Sequence, residues 1–346
     1  MQQLAKYAYI NAKIRAMLSY LLTPEEFSRL LEAKDVYEAL DGLKGNPYAN
    51  IADEAAHSVF NLELLEKTLI KNDLSIYRKV YRSIQSKIEK EFVYLLMSRY
   101  EIEELKVVLR LWHQKTPVNV QDYLLGEDIA YKIDYKKLIL AQNIEEIILI
   151  LDETPYKKPL LKAKDRYKEK DNSFYLEAAL DLDYYKRLWD IVEKFSSLDK
   201  QMSYKTLGVE IDIENINWLI RLRKYYSLGM ADMLDFVIPG GSRINKEVVR
   251  NFYTTNGLSK VAEAVSLGPF MKIKDMAFDN IDLLENFLYE ILLKETRRAL
   301  AGFPFTISTV LGYFNLKRRE TKNIVSLLYA KNYGFKSGQI APLLSL

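Results

Sequence analysis

Few side chains in this sequence could carry out covalent or metal-dependent chemistry. The chain has no Cys and only two His, His57 and His113, which excludes disulfides, iron–sulfur clusters, thiolate zinc sites and cysteine nucleophiles. One acidic group, Asp181, Asp183 and Asp190, has side chains of the metal-ligand type. Because Asp181 and Asp183 are two residues apart, they would point to different faces of a helix. We interpret this group as a solvated helix face and predict no metal site.

Motifs that position a reacting group are also absent from the sequence. It contains no Gly-rich phosphate loop, no Gly-x-Ser-x-Gly turn and no His-Glu-x-x-His pair. The sequence therefore predicts a protein that is not an enzyme, with no catalytic residue and no cofactor. A helical hydrolase that uses a pair of the 47 acidic residues is the remaining enzymatic alternative.

Basic residues are numerous but balanced by acids. The 50 Lys and Arg against 47 Asp and Glu give a net charge of +3, whereas nucleic-acid binding over a broad surface requires a strongly basic domain. The most basic stretch runs from Lys157 to Lys170. We interpret it as a solvated loop, with contact to an acidic partner or an anionic lipid surface as the alternative.

The elements that position these side chains are predicted to be helices. The 13 Gly and 9 Pro make up about 6% of the chain, where average usage is about 12%, too few for the turns of a sheet-rich protein. Residues 48 to 116 carry apolar residues at helical spacing, which predicts three helices with breaks near Asn72-Asp73 and Tyr100-Glu101. No apolar run approaches the ~20 residues of a membrane span and no signal peptide is evident, so we expect a cytoplasmic protein.

Three sets of landmarks recur along the chain in one order. A Pro-aromatic pair occurs as Pro47-Tyr48, Pro155-Tyr156 and Pro269-Phe270. A Leu-Glu-x-x-Leu element follows with its acid at Glu66, Glu177 and Glu285, and an acid-x-x-Asn/Glu element ends at Glu104, Asn215 and Asn323. The spacing between the last two landmarks is 38 residues each time. We interpret the acid-x-x-Asn/Glu element as a helix-opening cap, with matched polar groups presented to a partner as the alternative.

This periodicity predicts three homologous all-α units of about 110 residues, with boundaries at 1–116, 117–228 and 229–346. The second junction contains the only Pro-Gly-Gly of the sequence, at Pro239. Because ordinary helical solenoids repeat every 33 to 47 residues or so, units of this size favour a closed pseudo-threefold ring or funnel.

The ordered motifs resemble those of the C subunit of the A/V-type ATPases, which is called the d subunit in the eukaryotic enzyme. The resemblance extends from residue 5 to about residue 335. It is carried by the opening segment 7–18, by Leu176-Glu177-x-x-Leu180-Asp181, by Asp212-Ile-Glu-Asn215-Ile-Asn-Trp-Leu-Ile-Arg221, by Ile238-Pro-Gly-Gly241 and by Glu320-x-x-Asn323-Ile324. Glu104 departs from the pattern, since the other two units carry Asn at that position.

The resemblance implies a non-catalytic rotor spacer with the shape of a three-domain helical funnel. Its implied partners are the central-stalk subunits and the membrane rotor-ring subunits, between which it transmits torque for ion transport coupled to ATP hydrolysis or synthesis. It would be peripheral to the membrane through the complex, without a span of its own. A free-standing triplicated helical scaffold or adaptor is the alternative.

A chain that transmits torque between two partners needs a surface for each of them, and charged groups at such surfaces would fix how each partner is aligned. Basic residues recur near the end of each unit, and we predict them as partner contacts: Arg110, Arg221, Arg223, Arg318 and Arg319. The alternative is that they are exposed helix charges, each contributing about 0 to 1 kcal/mol in an ion pair.

Overall fold

The computed structural model describes residues 2–45, 47–51, 61–221, 229–254 and 281–344. Within these ranges the chain forms α-helices and short 3₁₀ turns and no strand, so the all-α prediction is confirmed. None of the helices in these ranges is both long and apolar enough to cross a membrane. In chain order the helices are α1 (Gln2–Leu18), α2 (Pro24–Glu32), α3 (Val36–Gly42), α4 (Leu62–Ser83), α5 (Lys87–His113), α6 (Tyr135–Leu140), α7 (Ile144–Ile150), α8 (Lys157–Lys170), α9 (Phe174–Val192), α10 (Ser197–Arg221), α11 (Met230–Phe236), α12 (Lys246–Thr254), α13 (Ile281–Ala301), α14 (Ser308–Asn332) and α15 (Ser337–Ile340).

The stretch after residue 61 forms two long helices where the sequence predicted three. Helix α4 continues through the predicted break at Asn72-Asp73, and α5 continues through the one at Tyr100-Glu101. The polar residues that indicated breaks are buried instead, with Asp73 and Glu101 each only 1% exposed. Their partners lie far away in sequence, so tertiary contacts override the local signal for a helix end.

The packing divides the chain into two compact units. The larger combines Met1–Ile76 with Phe195–Leu346, and the smaller is Tyr77–Lys194. In the larger unit α13 packs against both α10 and α14, and α1 and α3 also contact α14. In the smaller unit α9 packs against α5 and α8. The division into three units predicted from the sequence, 1–116, 117–228 and 229–346, remains a prediction.

The landmarks of the sequence occupy successive pairs of long helices. Glu66, Glu177 and Glu285 lie in the first two turns of α4, α9 and α13, which have 22, 19 and 21 residues. The acid-x-x-Asn/Glu elements lie in the helices that follow, α5, α10 and α14, of 27, 25 and 25 residues. This order and these lengths support the predicted repeat.

Two short helices begin with the same cap, 108 residues apart. The Asp35 carboxylate accepts the backbone N–H of Glu38 at the start of α3, and the Asn143 side chain accepts that of Glu146 at the start of α7. Glu38 in turn accepts the N–H of Lys34, just as Glu146 accepts that of Gln142. These reciprocal bonds satisfy N–H groups that a helix start leaves without an intrahelical partner.

A hydrophobic cluster in the larger unit joins elements from both ends of the sequence. The cluster buries apolar side chains of α2, α3, the start of α4, the second half of α14 and the C-terminal turn: Leu22, Phe27, Leu30, Ala33, Val36, Ala39, Leu40, Leu43, Tyr48, Leu65, Leu69, Ile324, Leu327, Leu328, Ala330, Ile340 and Leu344. Removing these side chains from water is the main favourable contribution to that packing. The cluster lies next to one of the buried acids described below.

Candidate functional site

The acid-x-x-Asn/Glu elements lie inside the long helices and are buried. Glu101, Asp212 and Glu320 are 1%, 0% and 5% exposed, and each is an interior residue of α5, α10 or α14. The interpretation of these acids as helix-opening caps is therefore wrong. Each of them instead accepts N–H groups from a separate segment of backbone, which satisfies donors that would otherwise be buried unpaired.

In the smaller unit Glu101 binds the chain that follows its own helix. Its Oε2 accepts the backbone N–H of Ala130 at 2.9 Å and of Tyr131 at 2.8 Å. Its Oε1 accepts the Tyr156 hydroxyl at 2.7 Å. Three residues later in α5, the Glu104 carboxylate accepts the backbone N–H of Leu125. We call this arrangement the Glu101 site.

In the larger unit Asp212 binds the loop that contains Pro-Gly-Gly. Its Oδ1 accepts the N–H of Ile244 at 2.7 Å and its Oδ2 accepts that of Arg243 at 2.9 Å. Asn215 adds a paired contact, since its Oδ1 accepts the N–H of Ile238 at 2.8 Å and its Nδ2 donates to the carbonyl of the same residue at 2.9 Å. This is the Asp212 site.

The loop at the Asp212 site requires its two glycines for different reasons. Gly240 has φ of +93°, a conformation that side chains strongly disfavour. Gly241 allows close approach, because a Cβ there would lie 2.3 Å from the Asp212 Oδ1 and 2.8 Å from the carbonyl of Ile244.

Replacing Gly241 with Ala is expected to lower the free energy of unfolding by about 1 to 3 kcal/mol, because the new methyl group would push the loop away from the Asp212 carboxylate. Chemical denaturation followed by circular dichroism measures the change. Gly338→Ala is the matched control, since no atom lies within 4 Å of a Cβ at that position. Equal stability of the Gly241→Ala protein and the parent would contradict the tight approach.

In the same unit Glu320 binds the chain near its N-terminus. Its Oε2 accepts the backbone N–H of Leu22 at 2.6 Å, and its Oε1 accepts the Tyr48 hydroxyl. The ammonium of Lys317 lies 3.2 Å from Glu320 Oε1 and 3.6 Å from Asp73 Oδ1, and it donates to the Tyr48 hydroxyl. We call these residues the Glu320 site.

The Glu101 and Glu320 sites bind their segments with residues at matching positions. Ala130 follows Leu22 by 108 residues, and Tyr156 follows Tyr48 by the same distance. Each site thus combines an acid with a tyrosine hydroxyl from the Pro-aromatic pair and with backbone N–H groups, one at Glu320 and two at Glu101. The Asp212 site also binds backbone N–H groups, 31 and 32 residues further along the chain.

Burial raises the pKa of three buried acids, Asp212, Glu101 and Asp73. Desolvation raises the pKa of Asp212 from 3.8 to about 6, while the N–H groups of Ile244 and Arg243 oppose the shift. Desolvation also raises the pKa of Glu101, against the opposing N–H groups of Tyr131 and Ala130. It likewise raises the pKa of Asp73 to about 6, against the nearby Lys317. In each case the rise in pKa caused by removal from water exceeds the decrease caused by the hydrogen-bonding and charged partners.

The raised pKa predicts that the charge on Asp212 opposes folding at neutral pH. A group whose folded pKa lies above its unfolded value contributes stability at low pH and loses it as the pH rises through the folded pKa. Relative to an Asp212→Asn variant, the parent should therefore gain about 1 kcal/mol of unfolding free energy between pH 7 and pH 5. Urea denaturation of both proteins at the two pH values tests this. A difference that does not change with pH would show that the carboxylate is not strained by burial.

The predicted partner-contact arginines lie in different surroundings. Arg110 is half-exposed, with its Nε 3.5 Å from Glu177 Oε2. Arg318 donates to Glu210 Oε1 at 3.0 Å, and Arg319 is buried with its guanidinium 4.6 Å from the ring centre of Tyr289. Arg221 is the last residue of α10, and Arg223 lies outside the described residues. Their role in binding partners stays a prediction.

Two acids of the group Asp181, Asp183 and Asp190 form ion pairs with basic side chains of helices. Lys106 donates to both carboxylate oxygens of Asp181 at 3.1 Å, and Arg187 Nε lies 2.7 Å from Asp183 Oδ2. Among the residues that the structure describes, no three His, Cys, Asp or Glu side chains come together as a metal site.

The prediction of a solvated loop for the basic stretch is wrong, because these residues form helix α8. Its 14 residues face water on one side, and Lys164 and Lys168 pair with Glu145 of α7. A loop was predicted because Lys and Arg dominate the segment, yet both residues are good helix formers. Contact of this helix with an acidic partner stays a prediction.

Sequence reasoning missed the residues that complete the Glu320 site. Tyr48 was visible as part of the Pro-aromatic landmark, but nothing indicated that its hydroxyl binds an acid 272 residues away. Lys317 gave no signal, since a charged residue within a helix usually faces water, and Asp73 was interpreted as part of a helix break.

Comparison with known proteins gives matches over nearly the whole chain. The family described as "ATP synthase (C/AC39) subunit" matches residues 10–342. The A-type ATP synthase C subunit of Archaeoglobus fulgidus is 25% identical over 338 residues, which cover 97% of this chain and 95% of the relative. The C subunit of Methanosphaera stadtmanae is 25% identical, covering 94% and 84%, and that of Methanosarcina mazei is 26% identical, covering 95% and 90%.

Proposed function

The chain belongs to the ATP synthase (C/AC39) subunit family, and from that premise we propose that it is the rotor spacer of an A/V-type ATP synthase. It is a structural subunit of such a complex and not a catalytic one. In the proposed role it links the central stalk to the membrane rotor ring and transmits torque between them. Ion transport is thereby coupled to ATP hydrolysis or synthesis.

The observation that carries this proposal is the use of buried acids to fix backbone segments against long helices. At the Glu101 site one carboxylate accepts three hydrogen bonds, from Ala130, Tyr131 and Tyr156. A hydrogen bond restricts direction as well as distance, and a buried charged acceptor makes it stronger. A part that transmits torque must resist shear between its elements, and such contacts supply that resistance.

The same kind of contact at all three acids supports a closed threefold arrangement. Asp212 and Glu101 bind chain that lies about 30 residues ahead, whereas Glu320 binds Leu22, 298 residues behind it. In a linear stack of units, no segment would follow the last acid, Glu320. In a ring, the first segment of the chain can bind the last long helix, as Leu22 binds Glu320. The proposed funnel is this ring, with the stalk held inside and the rotor ring met at its wide end.

The proposed location is the cytoplasmic face of the membrane, where the complex would hold the chain as a peripheral component. Its partners there would be the central-stalk subunits and the rotor-ring subunits. Both contacts are protein–protein interfaces, for which helix surfaces with mixed charge are suited.

Affinity capture of the tagged chain from native membranes tests the proposal. After mild detergent extraction, subunits of the stalk and the ring should co-purify in fixed ratio, and the eluate should hydrolyse ATP. A salt wash series then shows whether the two partners dissociate separately, as two independent surfaces require. Recovery of the chain alone, or with proteins unrelated to an ATP synthase, would favour a free-standing scaffold.

The isolated chain is expected neither to hydrolyse ATP nor to bind it. Phosphate recognition needs unpaired backbone N–H groups or convergent basic side chains. At the described acids the N–H groups are already bound to carboxylates, and Lys317 is held by two acids. Isothermal titration calorimetry with Mg–ATP measures this directly. Saturable heat at micromolar concentrations would argue against a purely structural component.

A further inference from the structure

Lys317 is a buried cation in a position where the equivalent helices carry none. It is 4% exposed, three residues before Glu320 on α14. Its ammonium lies 4.3 Å from the ring centre of Tyr48 and within ion-pair distance of Asp73 and Glu320. Three residues before the other two acids stand Ser98 and Val209, which are also buried but uncharged.

Asp73, which pairs with Lys317, also has no charged residue at the equivalent positions of the other two helices. It follows Glu66 by seven residues and is 1% exposed. Seven residues after Glu177 and Glu285 stand Tyr184 and Leu292, both buried and uncharged. The cation on α14 and the anion on α4 thus form a complementary pair, and neither has a counterpart elsewhere in the repeat.

The Glu320 site also differs from the others in how its two sides are connected. Glu101 and Ala130 are 29 residues apart, and Asp212 and Ile244 are 32 apart, so a short stretch of chain connects each acid to its segment. Glu320 and Leu22 are 298 residues apart. A short connection raises the effective concentration of the correct partner, and the Glu320 site lacks that advantage.

The helices α5 and α14 bind similar segments, which allows wrong pairings between them during folding. If α14 met the segment of Tyr156, Lys317 would be buried opposite Tyr184 instead of Asp73. If α5 met the segment of Tyr48, Asp73 would be buried beside Glu101 with Ser98 in place of a cation. Burying a charge without its partner is strongly unfavourable, so both wrong pairings are penalised.

We propose that Lys317 and Asp73 are specificity-determining residues that direct the last long helix to the first segment of the chain. The pair distinguishes the correct order of the repeats from orders in which equivalent elements exchange places. A single buried polar residue fixes the register of a coiled coil in the same way. The proposal rests on the threefold repeat proposed above but not on a role in a rotor.

The test measures the order of pairing in the full chain by double electron–electron resonance. The absence of native Cys allows spin labels at Tyr20→Cys and Tyr333→Cys, two exposed positions near the ends of α1 and α14. The charges are removed together in Lys317→Met/Asp73→Leu, and in the milder Lys317→Gln/Asp73→Asn. Lys106→Met/Asp181→Leu is the matched control, since that ion pair is reached by solvent.

After refolding from denaturant, the parent and the control should give one distance distribution. The neutral variants should remain helical but show additional distances, and a severalfold larger fraction of dimers and higher oligomers by light scattering. Dilution with unlabelled chain separates distances within a molecule from those between molecules. Monomeric neutral variants with the parental distribution would overturn the proposal. Failure of both neutral variants to fold would overturn it as well, because the charges would then be required for closure itself.

Discussion

Replacing Lys317 with Met is expected to lower the free energy of unfolding by about 3 to 5 kcal/mol at neutral pH. The substitution removes the cation that lies between Asp73 and Glu320 and leaves two carboxylates buried near one another. Met fills a similar volume, so packing is largely kept. The loss of stability therefore measures the cost of burying two carboxylates without their cation. Urea denaturation, followed by circular dichroism at constant protein concentration, measures the change.

The loss should shrink as the pH falls. Burial already raises the pKa of Asp73 to about 6 with Lys317 present, and Lys317 opposes that shift. Without Lys317 the folded pKa rises further, so protonation below it relieves the penalty. The Lys317→Met variant should therefore lie closer to the parent at pH 5 than at pH 7.5.

Lys106→Met is the control for this prediction. Lys106 pairs with Asp181 and Glu103, whose side chains are 22% and 53% exposed. Water can solvate those carboxylates when the cation is removed, so a loss of only about 1 kcal/mol is expected. Equal losses in the two variants would show that burial of the Glu320 site does not govern its energy.

Much of the fold could be predicted from local signals. The low Gly and Pro content and the apolar spacing indicate helices, and side chains such as Leu69, Phe92 and Leu105 are buried as that spacing requires. The landmarks Glu66 and Glu177 mark the beginnings of long helices. Helical periodicity is a property of neighbouring residues, and it can therefore be read from one sequence.

The buried acids could be located in the sequence but not understood from it. Glu101 and Glu320 were visible as landmarks, yet a local interpretation made them caps of their own helices. Their partners, Ala130 and Leu22, are backbone N–H groups that have no side-chain signature. A contact that depends on backbone donors far along the chain leaves no mark on residue types. The one exception is the Pro-Gly-Gly loop, where Gly241 marks the close approach to Asp212.

The Glu320 site also connects the fold to the proposed function. In the proposed ring, torque would be carried by every contact around it, and the contact whose two sides are far apart in sequence is the one that could separate. The structure places there an ion pair, a tyrosine hydroxyl and the hydrophobic cluster that contains Leu22 and Ile324. We therefore expect this contact to be the strongest under load, although it is the one least favoured by chain connectivity.

Reversing Arg221 and Arg223 to Glu is expected to uncouple ATP hydrolysis from ion transport in the assembled enzyme. Arg221 ends α10, the helix that carries the Asp212 site, so a partner bound there would load that helix directly. Ions moved per ATP should fall well below the parental ratio, or the catalytic head should detach from membranes. Ion uptake and ATP hydrolysis in reconstituted vesicles give the ratio.

The control for this last prediction is Lys186→Glu with Lys194→Glu, which changes the net charge equally at two exposed positions. Both double variants should keep the helical content and melting temperature of the parent, because surface charges contribute little to stability. A selective loss of coupling in the Arg221/Arg223 variant then identifies a loaded interface, since a general charge effect would appear in both proteins. Full coupling and intact assembly in that variant would instead make these arginines ordinary solvated helix charges.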